Sequence, residues 1–107
     1  MTIDKKSTIS ASKFTKPILD ELMLGEAFRV FRKSDDLSLT ELADRLGVSR
    51  QFLSDVELGR KQVGISFIEG FARELGYGIE PFLRLFLRDQ LKRHGLDYIV
   101  NIEKRAG

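Results

Sequence analysis

An all-α fold of five helices is what this sequence predicts, on three observations. Apolar residues recur at helical spacing over much of residues 17–95. Serine caps and glycine stops bracket the runs in alternation: Ser38 and Gly47 around one, Ser49 and Gly59 around the next, Ser66 and Gly76 around a third. Only residues 97–102, "DYIVNI", are β-branched and aromatic enough to read as a strand. The expected organisation is a flexible basic arm at 1–16, a helical domain at 17–95, and a short C-terminal extension at 96–107 with one candidate β-strand.

Composition bounds the function. A chain of 107 residues suits one modest domain with a correspondingly small core. It has no cysteine, which rules out a disulfide framework, a thiolate metal site and a cysteine nucleophile, and suits a reducing compartment. No apolar run approaches the ~18 residues of a membrane span, and the opening "MTIDKKSTISASKFTK" lacks the apolar stretch of a signal peptide. A cytoplasmic protein with no membrane partner is therefore expected. A net charge of +2 is too small to announce an anionic partner, so the placement of the charges must decide.

The arm carries four lysines against one aspartate and few apolar residues, a solvated rather than packed pattern. After Pro17, Leu22, Leu24, Ala27, Phe28, Val30 and Phe31 mark the first helical region, which reaches Lys33 before "SDDLS" breaks it. Ser38 with Glu41 forms a capping box and Gly47 supplies a left-handed stop, which predicts a second helix at about 39–46. Ser49 caps a third at about 50–58. Ser66 with Glu69 reads as another capping box, starting a fourth helix near Phe67, and Pro81 opens a fifth that runs on to Gly95.

The second and third of these helices pose a problem, because isolated helices below ~12–15 residues are marginal in water. Neighbouring helices must prop them, and a tight turn at Gly47, Val48 and Ser49 must join them. On a helical wheel the third helix has two faces. Leu53 and Val56 lie on one, with Phe52 beside them; Arg50, Gln51, Ser54 and Asp55 fan out on the other. An α-helix fits the major groove of double-stranded DNA, where arginine reaches guanine, glutamine pairs with adenine, and a carboxylate accepts from cytosine. Two helices joined by a short turn containing glycine make a helix-turn-helix, whose second helix enters the groove.

"LSLTELADRLGVSRQFLSDVELGR" resembles the helix-turn-helix of the XRE, or Cro/CI repressor, family. Leu37, Ser38, Glu41, Leu42, Ala43, Leu46, Gly47, Val48, Ser49, Leu53, Val56, Glu57, Gly59 and Arg60 fall in register. With the flanking helices, the similarity covers about residues 24–79. The resemblance implies a five-helix Cro/CI repressor-like domain, usually dimeric, that binds DNA with Arg50, Gln51, Ser54 and Asp55 toward the bases or nearby phosphates. It also implies a buried or half-buried salt bridge from Arg32 to Glu57. Two positions depart from the family pattern. Leu39 stands where many members carry a phosphate-binding glutamine, so an anchor there falls to Thr40 or the backbone amides. Asp55 brings a carboxylate toward phosphates, which fits only if it reads cytosine or holds Arg50 or another base in place.

Phosphate contact is expected from Thr40, Ser49, Arg60, Lys61 and Gln62, the last three in the "GRKQ" that follows the third helix. The apolar residues of the fifth helix cover more of its wheel than one core stripe needs, which makes Phe82, Phe86, Leu87 and Leu91 a candidate dimer interface. No cofactor, metal or enzymatic role is expected: His94 is alone, and Asp35, Asp36, Asp44 and Glu80 lack metal-ligand spacing. The reading is a DNA-binding transcriptional regulator, a repressor acting as a homodimer on a palindromic operator. Its rivals are an antitoxin with a toxin partner, a restriction–modification controller protein, and a protein-interaction adapter that has lost DNA binding.

Overall fold

The computed structural model describes residues 21–106, and within them five helices and no strand. They are α1 (Leu24–Ser34), α2 (Leu39–Leu46), α3 (Arg50–Glu57), α4 (Ile65–Leu75) and α5 (Glu80–Arg93). None of them is long and apolar enough to cross a membrane. The arm and the first residues of the helical domain, 1–20, lie outside the described residues.

Two expectations are corrected. Residues 96–106 are irregular and form no strand. β-Propensity alone does not make a strand; it needs a neighbour to satisfy its amides and carbonyls, and within the described residues none runs alongside. The fourth helix starts earlier than its serine suggested. Gly64, in extended conformation, is the N-cap and makes no side-chain hydrogen bond, while Ser66 lies inside the first turn. Ser66 and Glu69 therefore form no capping box.

The core is aromatic at its centre. Phe28 of α1, Phe71 of α4 and Phe82 of α5 are wholly buried, with ring centroids 4.4 Å apart for Phe28 and Phe71, and 5.4 Å apart for Phe71 and Phe82. Such pairs add about 0.5–1.5 kcal/mol each beyond the area they bury. Around them pack Ala27, Leu42, Leu53, Ile68 and Leu85, one apolar stripe from each helix. Phe67 of α4 bridges Phe28 to Phe52 of α3, at 5.5 and 6.0 Å. The short third helix is thereby anchored from behind to α4 and, through it, to α1.

Close contacts at its N-terminal end fix α1 against α5 and α3. The Leu24 amide, an orphan donor at the first turn, donates to the buried carboxylate of Asp89 on α5 at 2.9 Å. Arg88 bonds the Leu22 carbonyl and also pairs with Asp89, at 3.0 Å. Gly25 lies backbone to backbone against the end of α3, where a Cβ would come within 2.3 Å of the Val56 carbonyl oxygen. Only glycine permits that approach.

Candidate nucleic-acid interface

Helix α2 begins with the reciprocal cap its sequence predicts. Ser38 Oγ accepts from the Glu41 amide at 3.0 Å, and Glu41 Oε1 accepts from the Ser38 amide at 2.8 Å. That backbone hydrogen bond, with the serine hydroxyl second, favours the ionised form and holds the pKa of the Glu41 carboxyl below its ordinary value. At the other end Gly47 adopts φ 71°, and the Val48 amide bonds back to the Ala43 carbonyl at 3.0 Å. The chain reverses in three residues because glycine takes the left-handed position without a Cβ penalty. Ser49 then caps α3 by accepting from the Phe52 amide at 3.0 Å.

The inner side of α3 buries Leu53, Val56 and Glu57. Glu57 meets Arg32 of α1 in a two-point pair, Nε to Oε2 at 2.7 Å and Nη2 to Oε1 at 3.0 Å, and both side chains are almost fully covered. Arg32 Nη1 donates as well to the Leu37 carbonyl at 2.8 Å, at the entry to α2. One guanidinium thus ties α1 to both helices of the motif. The salt bridge implied by the resemblance is present.

On the outer side, Arg50 and Gln51 are exposed, while Ser54 and Asp55 are half-buried. Gln51 Nε2 donates to Asp55 Oδ1 at 3.0 Å, and Arg60 approaches the same oxygen at 3.7 Å. Among the described residues Asp55 restrains Gln51 and Arg60, not Arg50. The Arg60 amide also bonds the Asp55 carbonyl at 2.8 Å, which sets the exposed Arg60, Lys61 and Gln62 immediately beyond the outer side of α3. Thr40 and Ser49 are exposed at the starts of their helices.

The expected dimer residues divide. Phe82 is wholly buried among Phe28, Phe31 and Phe71, which leaves it no surface for a partner and removes it from any interface. Phe86 and Leu91 are half-buried, and Leu87 is exposed.

Sequence reasoning missed two groups. Arg29 and Lys33, one turn apart on α1, line an open groove with Ser38, Leu39, Thr40, Arg50 and Ser54. Their four-residue spacing was the available signal, since it sets both on one face. Asp89 was the other, and its partner lies 65 residues away, beyond any local pattern.

A protein-family model described as a helix-turn-helix domain matches residues 23–85. An uncharacterised HTH-type transcriptional regulator of Archaeoglobus fulgidus is 35% identical over 75 residues, which is 64% of this chain and 33% of that protein. The chain thus spans about a third of that relative's length. Among solved structures, the master regulator for biofilm formation SinR in complex with DNA superposes with a TM-score of 0.53 at 31% identity, over 57% of this chain and 98% of that one. The clp gene regulator ClgR from Corynebacterium glutamicum gives 0.55 at 30% identity, over 67% and 77%. A hypothetical transcription factor from Neisseria, NHTF, gives 0.53 at 34%, over 66% and 79%. These relatives are transcription regulators rather than enzymes. With the family model spanning more than half its length, the chain belongs to the helix-turn-helix domain family, as an XRE-like member.

Proposed function

We propose that the chain is a sequence-specific DNA-binding transcriptional regulator that represses by occupying a palindromic operator as a homodimer. The observation that carries this reading is the outer side of α3: Arg50 and Gln51 exposed to solvent, Gln51 oriented by Asp55, on a helix whose inner side is locked by Phe52, Leu53, Val56 and the Glu57–Arg32 pair. A helix held that rigidly offers its side chains to base edges at little entropic cost. Phosphates would be met on one flank by Arg60, Lys61 and Gln62, and on the other by Arg29, Lys33, Thr40 and Ser49. The α1 cations then supply what Leu39 cannot. The neighbour SinR was solved with DNA, which supports the same assignment for this domain.

Dimerisation follows from the need to read two half-sites. The half-buried Phe86 and Leu91 with the exposed Leu87 form the part of α5 open to a second copy. Asp55 favours DNA binding over the adapter reading, since its charge is already engaged by Gln51 and Arg60 and need not repel phosphate in full. The test is selection of bound sequences from a random duplex pool at stated salt. One enriched motif with two related half-sites about 34–36 Å apart is expected. Equal retention of all sequences, or none, overturns the reading.

A further inference from the structure

The C-terminal segment carries the largest unexplained apolar exposure of the described chain. Ile99 is 89% exposed, Tyr98 62% and Leu96 42%. Among the described residues, no main-chain hydrogen bond is made by residues 97–106, although every helix end before them closes its own. The alternation is that of a strand. Extended as a strand, Leu96, Tyr98, Val100 and Ile102 would share one face at period two, and Asp97, Ile99, Asn101 and Glu103 the other; in the single chain only Val100 and Ile102 of these are half-buried.

We infer that residues 96–102 pair antiparallel with the same segment of a second copy of this chain, across a twofold axis at Ile99. The inference rests on the dimer proposed above and says where its axis runs. A twofold perpendicular to a two-stranded ribbon sets one residue opposite its own copy, because cross-strand neighbours share a face. Three registers then compete. An axis at Val100 sets Asp97 opposite Glu103, like charge on like, which destabilises. With the axis at Asn101, Asp97 meets Arg105, but Ile99 faces Glu103 and Tyr98 faces Lys104. An axis at Ile99 sets Ile99 on Ile99, Tyr98 on Val100 and Leu96 on Ile102, with Asp97 beside Asn101. Exposed ion pairs contribute little against apolar burial, so the third register wins. It also satisfies the free amides and carbonyls of the segment and covers the most exposed apolar side chain.

The chain has no cysteine, so single cysteines report without background. Opposed residues in an antiparallel pair lie ~4.5–5.5 Å apart at Cα, within disulfide reach. In the full chain, Ile99→Cys under mild oxidant is expected to give a disulfide-linked dimer, at least about tenfold faster than Val100→Cys or Asn101→Cys. Ile99→Lys, on an exposed side chain, should weaken the dimer at least about tenfold with helical circular dichroism unchanged. A native mass of two chains with fastest cross-linking at residue 100 or 101, or at none, overturns the pairing and leaves the dimer standing. A native mass of one chain overturns both.

Discussion

Two acids on α3, separated by one residue, do opposite work. Glu57 is buried on the inner side and bound at two points by a buried Arg32; Asp55, on the outer side, holds the exposed Gln51 and meets an Arg60 whose side chain is 68% exposed. The lesson is that on one short helix, the identity of the charge says less than the side it occupies. Inside, a carboxylate fixes the orientation of the helix. Outside, it adjusts what the helix presents, at little consequence for folding.

The largest expected effect comes from breaking the inner pair. Glu57→Ala or Arg32→Ala leaves a buried charge unmatched, a mechanism that costs roughly 3–5 kcal/mol. Denaturant unfolding of each variant should lose that much stability, and the double variant with apolar residues of similar volume should recover most of it. Losses below about 1 kcal/mol in both single variants would mean that water reaches the pair, and the contrast between the two sides of α3 would collapse.

How much of this was legible beforehand follows the range of the interactions. Local chemistry could be read directly: the Ser38–Glu41 cap, the Gly47 turn and the Ser49 cap each involve residues within a few positions, and each formed as the sequence predicts. The polar face of α3 was equally legible, because periodicity alone separates Arg50 and Gln51 from Leu53 and Val56. What failed was longer in range. Phe82 looked free on the wheel of α5, yet three aromatic rings from α1 and α4 enclose it. Asp89 carries no local signal, yet it caps a helix that begins 65 residues earlier. Ser66 lost its capping role to Gly64, since a serine can cap only if the preceding chain does not already enter the helix. The Arg32–Glu57 pair came from family resemblance, as no local pattern joins residues 25 apart.

Intermediate effects should separate readers of bases from holders of phosphate on the outer surface. Arg50→Ala is expected to cost about 1–3 kcal/mol of discrimination at one or two positions of each half-site. Arg60→Ala, Lys61→Ala and Lys33→Ala should instead weaken operator and random DNA alike, each flattening the salt dependence by about one ion. Titrations on both DNAs at several salt concentrations check the division. Identical behaviour of Arg50→Ala and Arg60→Ala would erase it, and an unchanged salt slope in Lys33→Ala would remove α1 from the interface.

The smallest effect concerns Asp55 itself, and it sharpens the comparison most. Asparagine at this position keeps the shape and an oxygen that can accept from Gln51, but removes the charge that attracts Arg60. Because the pair with Arg60 is long and open to water, Asp55→Asn should change folding stability by less than about 0.5 kcal/mol. On DNA the lost charge relieves repulsion from phosphates, so non-specific binding should tighten. Discrimination should fall, since a neutral amide restrains Gln51 less firmly and accepts less strongly from cytosine N4 than a carboxylate does. The two explanations part in a double-mutant cycle. If Asp55 acts by holding Gln51, then once Gln51→Ala is in place, Asp55→Asn should cost no further discrimination, and both single variants should relax the same base position. If Asp55 reads cytosine directly, the two losses should add and fall at different positions. An operator-to-random ratio untouched by Asp55→Asn would place the carboxylate on the rim of the groove, with no part in recognition.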